Sequence, residues 1–460
     1  MSKMESGVAM TPESFSLQRE SVLLRNQALK TLRKDGIVVL LDPETGRWAT
    51  VDDQDLRVLD LFLRPLTWRD VTEGRSPHEV RALSTRVGRL YRKKMLEIDG
   101  LSFNTRQNSV SCRSIVLNLS QCPQEELSHS LPRWKAVISG ILAESSSRRL
   151  SIYLKGFRPL HFDEDLAALM THIESESRRR GREVFCAFES EEVVADIETL
   201  DFLAGCGAAV HWMAGRASSR DLERHLDALE AMGNRGISLI PHITWYGKEC
   251  GSALELLLRR GMRTLALDLP FTSGVCSPVA GQIKPESLFA EVFELLERLY
   301  SVARELRSPF VIHDLSLRIA HMHSQGTLSH PCLVSPCGAG KDVLSCDEKG
   351  QLHDCGCYVM SRNDTMCIGS IDQLAHLEEC PQGNKTLPQP AARSVESVPR
   401  CRRCTWKRFC NGGCLLRIVN SGALMKEDPW CRFFQLFYEN LLWKMAVDPL
   451  FGVYLGGYRL

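Results

Sequence analysis

Seven cysteines near the C-terminus, held at short fixed spacings, limit the fold of this chain more than any other feature. Cys337 is followed by twelve residues, Gly350, four residues and Cys355. Then come Cys401-x2-Cys404-x5-Cys410-x3-Cys414 and, after a gap, Cys431. The 460 residues include 18 cysteines and begin without an apolar export signal, so a reducing cytoplasm is expected, where thiolates stay free for metal. Structural zinc takes four ligands per ion and Fe–S clusters take four thiolates each; spacing alone leaves both open. Isolated buried cysteines are common, but a spaced set of seven argues against that reading. The segment Cys332–Cys431 is loop-rich, with a polar linker from Pro381 to Pro399. It has too little apolar periodicity for a core of its own, so bound metal is expected to supply stability.

The rest of the chain reads as two further parts behind a mobile tail, 1–20. In Ser21–Gly100, Ile37-Val-Val-Leu-Leu41 and Trp48-Ala-Thr-Val51 flank Asp42-Pro-Glu-Thr-Gly46, which predicts a hairpin. Helices are expected over Asp53–Phe62 and Ser76–Leu96, the latter with Val80, Leu83, Val87 and Leu90 on one face. Strands are expected at Ser114–Ser120, Leu150–Gly156, Glu183–Phe188, Ala208–Met213, Ile237–Thr244, Arg263–Leu269 and Phe310–Asp314. They are short and apolar on both faces, as buried parallel strands are, and amphipathic helices separate them. The fold class is therefore α/β, and its site belongs at the C-terminal ends of the strands. Net charge is +1 and no apolar run approaches a membrane span, so neither nucleic acid nor membrane is expected as a partner. The aromatic segment Phe433–Leu460 is expected to pack back on the body.

The cysteine pattern resembles the SPASM domain that follows the barrel in many radical-SAM peptide maturases. The likeness includes Gly338-Ala339-Gly340, Trp406, Asn411-Gly412-Gly413-Cys414 and Gly369-Ser370-Ile371. It implies two auxiliary [4Fe-4S] clusters, one on Cys332, Cys337, Cys355 and Cys414, the other on Cys401, Cys404, Cys410 and Cys431. Cys346, Cys357, Cys367 and Cys380 are then extra thiols, with Cys357 an alternative to Cys355. The resemblance also implies a partial (β/α)6 barrel of radical-SAM type over 110–325, followed by the Fe–S module and C-terminal segment over 326–460. Residues 21–105, through GIVVLLDPETGRWATVDDQDLRVLDLF, resemble the winged-helix-like RiPP recognition element, a peptide-binding fold of the PqqD type.

The barrel departs from that family where the cofactor would bind. In place of C-x3-C-x2-C stand Cys122, Glu126 and His129. Gly156-Phe157-Arg158-Pro159 replaces Gly-Gly-Glu-Pro, and Trp212-Met213-Ala214-Gly215 replaces Ser-Leu-Asp-Gly. S-adenosylmethionine is therefore not expected, and the barrel reads as a pseudoenzyme. His211, His242, Asp268, His313 and Asp314 stand at strand ends, where ordinary rim hydrogen bonding is the plainer reading; Cys250 and Cys276 are read as core cysteines. The leading expectation is a non-catalytic accessory of peptide modification. It would bind a precursor peptide through the N-terminal module, work beside an active radical-SAM maturase, and serve as scaffold or electron-transfer partner. A redox enzyme using the clusters or the barrel mouth is the alternative. A zinc-containing winged-helix DNA-binding protein, with Arg86, Arg89, Arg92, Lys93 and Lys94 as its basic face, is the second.

Overall fold

The computed structural model describes residues 17–99, 113–118, 127–144, 147–157, 160–194, 196–271, 283–326, 328, 330–339, 342–347, 350–355, 367–370, 393–422 and 424–457. The chain divides into two compact units, Met1–Gln107 and Asn108–Leu460. The expected tail falls largely outside the described residues.

The first unit contains β1 (Val22–Arg25), β2 (Lys30–Lys34), β3 (Ile37–Asp42), β4 (Arg47–Val51), β5 (Leu66–Thr67) and β6 (Leu96–Ile98). The expected hairpin is β3–β4, in register from Val38↔Val51 to Asp42↔Arg47, and β2 pairs on the other side of β3. Asp42 shapes the turn: its carboxylate accepts from the Glu44 amide at 2.8 Å and the Thr45 hydroxyl at 2.7 Å. β1 lies between β5 and β6 in a second antiparallel sheet. Helices Asp53–Leu61 and Pro77–Arg92 each begin at a capping box, on Asp52 and Ser76. Their apolar faces place Val58, Leu59, Leu83, Val87 and Leu90 in one core with Leu40, Trp68 and Leu96. The second helix stops short of the expected Leu96, because Lys94 turns to positive φ and the chain enters β6.

Part of that helix's basic face is taken up by ion pairs. Asp55 is buried, its side chain 1% exposed, and it takes ion pairs from both Arg86 and Arg89. Arg86 also binds Asp52 at 3.0 Å. Two of the five candidate DNA-contacting cations thus hold the two helices together.

In the second unit β7 (Arg113–Asn118), β8 (Arg149–Phe157), β9 (Glu183–Ser190), β10 (Ala209–Gly215), β11 (Ser238–Thr244), β12 (Thr264–Asp268) and β13 (Val311–His313) run parallel in sequence order. All seven expected strands are present. The expected helical stripes are also met: Trp134, Val137, Ile138, Ile141 and Leu142 are buried, as are Leu166, Leu169, Met170 and Ile173.

The sheet curls. His211 on β10 and His313 on β13 have ring centroids 5.9 Å apart, although a flat sheet would separate strands three apart by about 14 Å. Tyr153 on β8 reaches His211 with centroids 4.5 Å apart across two strand spacings. The sheet does not close on itself, because β14 (Val343–Cys346) pairs parallel with the outer side of β7. β15 (Gln351–His353) and β16 (Cys367–Ser370) then extend it antiparallel. The cysteine-rich segment therefore shares the barrel's sheet.

The aromatic C-terminus packs back as expected. Trp430, Phe433 and Phe434 surround Phe271 at the end of β12, and Phe451 meets Tyr300. Among the described residues no helix is long and apolar enough to cross a membrane.

Candidate metal centre

Two short helices and one long one bring four cysteines together. Cys401 lies in the helix Pro399–Arg402, Cys404 in the following turn, Cys410 at the end of the helix Lys407–Cys410, and Cys431 at the start of the helix Cys431–Val447. All four line one pocket of about 360 Å³, counted to include the solvent at its mouth, together with Trp406, Gly412 and Phe434. Burial pushes the Cys410 thiol up to about 12 and the Cys431 thiol up to about 11, and it also raises Cys401. Nearby Cys404 adds to each of these shifts, so the four sulfurs sense one another. A metal that binds here must displace thiol protons. Among the described residues, no three His, Cys, Asp or Glu side chains converge closely enough to share one metal ion.

The reversal from Cys410 to Cys414 has a local cause. Asn411, Gly412 and Gly413 all have positive φ, at +52°, +83° and +83°. A Cβ on Gly413 would stand 2.3 Å from an Asp428 carboxylate oxygen, so only glycine fits. Asp428 is buried and organises the whole turn. It accepts from the Cys414 amide at 2.8 Å and the Trp430 amide at 2.8 Å, and it pairs with Arg417 at 2.6 Å. Its own carbonyl accepts from the Cys431 amide at 2.8 Å. Arg417 also donates to the Phe271 carbonyl at 2.6 Å, which ties the turn to the end of β12. Buried Arg393 donates to the carbonyls of Gly412, Leu424 and Lys426. The sequence reading missed Asp428, Arg417 and Arg393, since single charged residues in a loop carry no spacing signal.

The other four candidate ligands are only partly assembled. Cys355 and Cys414 pack against the same small cluster, built on Leu415 and Leu416. Cys332 is exposed and Cys337 half-buried. Their loop is tied to the first group by Asn411 Nδ2 donating to the Leu333 carbonyl at 2.6 Å and by the Val395 amide donating to Ser335 at 2.9 Å. Cys346 is a buried residue of β14, and Cys367 lies on β16 beside His353. Cys357 and Cys380 lie outside the described residues.

A second constellation fills the curled face of the sheet at its C-terminal end. The Tyr153 hydroxyl abuts the His211 ring, His211 Nδ1 lies 2.7 Å from His242 Nε2, and His242 Nδ1 lies 3.5 Å from Asp268. His313 stands alongside, and Lys155 pairs with Glu189 at 2.9 Å. His211, His242 and Asp268 were expected as separate rim groups; the structure brings them into one row across β10, β11 and β12, and adds Tyr153 of β8, which the sequence reading did not single out. Burial, then the neighbouring His242 and His313, lowers His211 to about 2, so its ring stays neutral. Asp314 follows β13 with φ +67°, a backbone state rare for a residue with a side chain. Trp212 points the other way, edge-on to His225, and is buried. Its ring therefore does not occupy the mouth. Cys250 is a buried core thiol pushed up to about 12 by burial. Cys122, Glu126, Arg158 and Cys276 lie outside the described residues, and the His129 side chain is not described.

No family model matches the sequence. An uncharacterized protein of Archaeoglobus fulgidus is 21% identical over 161 residues, covering 35% of this chain and 37% of that protein; the chain thus spans well under half the length of this relative. Among solved structures, anSMEcpe with bound AdoMet and the Kp18Cys peptide superposes with a TM-score of 0.57 at 13% identity, over 74% of this chain and 98% of that one. Native anSMEcpe with bound AdoMet gives 0.54 at 12% identity, over 73% and 98%. At these identities the likeness is one of fold.

Two outcomes follow. Asp428→Ala strips the carboxylate from fully buried Arg417 and should cost about 3–5 kcal/mol in urea unfolding; a loss under about 1 kcal/mol would contradict the latch. His211 is neutral when folded but titrates near 6.5 when unfolded. The unfolded state therefore binds the extra proton between those values, and stability should fall as pH drops below about 6.5. The slope approaches 1.4 kcal/mol per pH unit, and His211→Gln should flatten it. Equal acid slopes in both proteins would remove the buried-histidine account.

Proposed function

We propose that this chain is a cluster-bearing accessory protein of a peptide-modification system. One observation carries the reading: Cys401, Cys404, Cys410 and Cys431 gather around one pocket although they lie on three helices and a turn. An all-sulfur donor set suits iron–sulfur chemistry or zinc. The four thiols border a space rather than converge on one point, which favours a polynuclear cluster. On this reading they would hold one [4Fe-4S] cluster, and Cys332, Cys337, Cys355 and Cys414 a second. When bound, such clusters supply one-electron transfer or structural support. The chain's own contribution is to hold the sulfurs: Gly413 lets the chain reverse, Asp428 fixes the amides of Cys414 and Cys431, and Phe434 and Trp406 help wall the pocket.

The likeness to anSMEcpe, in one case with a bound peptide, agrees with a barrel that accommodates a peptide. In the first unit β4 is an edge strand, so its free side can take a precursor peptide by strand addition. The basic helix is poorly suited to DNA, given the pairing of Arg86 and Arg89 with Asp52 and Asp55. A radical-SAM maturase would do the chemistry, because by likeness to that family only Cys122 remains of the three thiolates that a cofactor cluster requires and Arg158 would set positive charge where the cofactor's ammonium binds.

A second reading, a redox or acid–base enzyme, is favoured by the chain from Tyr153 through His211 and His242 to Asp268 at the barrel mouth. In such a row the two histidines stand between the Tyr153 hydroxyl and the Asp268 carboxylate, the groups that acid–base chemistry would use.

Binding of candidate leader peptides should perturb backbone amide signals along Arg47–Val51 of the full chain. Shifts confined elsewhere would refute strand addition. Anaerobic incubation with dithionite, S-adenosylmethionine and such a peptide should yield no 5′-deoxyadenosine and leave the peptide mass unchanged. Formation of 5′-deoxyadenosine, lost in Cys122→Ala, would overturn the non-catalytic reading. A peptide mass change lost in His211→Asn would establish the enzyme.

A further inference from the structure

Two of the arginines buried near the cysteine pocket, Arg417 and Arg318, differ in one respect. Arg417 has its carboxylate, Asp428. Arg318, on the helix Leu315–His323, has none: among the described residues it forms no ion pair. Its guanidinium donates to the Tyr438 hydroxyl at 3.2 Å and lies over the Phe434 ring, 4.5 Å from its centroid. The Tyr438 hydroxyl passes on to the Phe409 carbonyl at 2.9 Å, just before Cys410. Asp314, the acid at the start of the same helix, makes no ion pair with it. A phenol, an aromatic face and one carboxylate beyond ion-pair reach, Asp314, neutralise a buried cation only in part, and an undercompensated buried charge is costly. Arginine cannot lose its proton to escape that cost.

The face of this cation is informative. Phe434, which carries the guanidinium, is also a wall of the cysteine pocket, and Tyr438 lies one helical turn beyond Phe434 on the helix that begins at Cys431. Four thiolates around a cubane core carry net negative charge. We propose that Arg318 is the fixed counter-ion of the centre held by Cys401, Cys404, Cys410 and Cys431, and so a positioning residue that sets that centre's reduction potential. This rests on the iron–sulfur reading above and goes beyond it. One added electron makes the centre one unit more negative, and a nearby cation favours that state. Arg318 therefore raises the potential of this centre. The same charge also makes the metal-free protein strained and the metal-loaded one relaxed.

The full chain, reconstituted anaerobically, supplies the test. Potentials are read by titration with dithionite followed by electron paramagnetic resonance. In Arg318→Gln one of the two cluster signals should become harder to reduce by at least tenfold, about 59 mV for one electron. Arg318→Lys should recover part of that shift. Thermal unfolding gives the second readout. Arg318→Met should raise the midpoint of the metal-free protein and lower that of the loaded protein. Wild-type iron content with both potentials unchanged would overturn the inference and leave the function intact. So would a metal-free Arg318→Met protein that is less stable than metal-free wild type or fails to fold. If wild-type protein itself takes up no iron, the functional reading fails first, and this inference with it.

Discussion

The buried pair between Arg417 and Asp428 is the contact on which the C-terminal half depends. Asp428 does three things at once: it closes the charge of Arg417, receives the Cys414 amide, and fixes the corner at Trp430 from which Cys431 departs. Arg417 carries the tie onward to the carbonyl of Phe271 at the end of β12. Cysteines from both proposed ligand sets are therefore positioned by one carboxylate, and that carboxylate is anchored to the barrel. Buried ion pairs are poor sources of net stability but strong specifiers of arrangement when one partner's loss strands the other. Here the arrangement specified is the spacing of sulfurs.

The layout explains why the barrel and the cysteine segment fold as one compact unit. β14 extends the barrel's own sheet, and the aromatic helix Cys431–Val447 packs Phe433 and Phe434 against Phe271. Apolar burial of several aromatic rings is a large contribution that needs no metal. The proposed metal would thus have a narrower role than the sparse periodicity of residues 332–431 implies: it would complete a pocket whose walls are already placed by packing on the barrel. The barrel in turn keeps a polar inner face. A scaffold stripped of all chemistry has no evident need for Tyr153, His211, His242 and Asp268 in one contiguous row.

Much of this was legible beforehand. The parallel strands announced themselves as short runs of Val, Ile and Leu, and the hairpin by Asp42-Pro-Glu-Thr-Gly46. The grouping of Cys401, Cys404, Cys410 and Cys431 was read from family likeness, and the structure gathers those four. The misses have physical reasons. Trp212 was read as a large ring replacing a small residue of the cofactor motif, but alternation along β10 sends His211 inward and Trp212 outward. Arg86 and Arg89 look like a basic face until folding brings Asp55 beneath them. Arg318, Arg417 and Asp428 have no periodic or spacing signature, because their partners are 11 and 120 residues away in sequence. Long-range electrostatics of this kind becomes visible only when the chain is folded.

The central claim is that the C-terminal thiols hold iron and sulfide. The most direct measurement is iron, acid-labile sulfide and zinc analysis of full-length protein reconstituted anaerobically, alongside Cys404→Ala. Two cubane clusters predict about eight iron and eight sulfide per chain, falling to about four of each in the variant. A colourless protein with stoichiometric zinc and no sulfide would contradict the account.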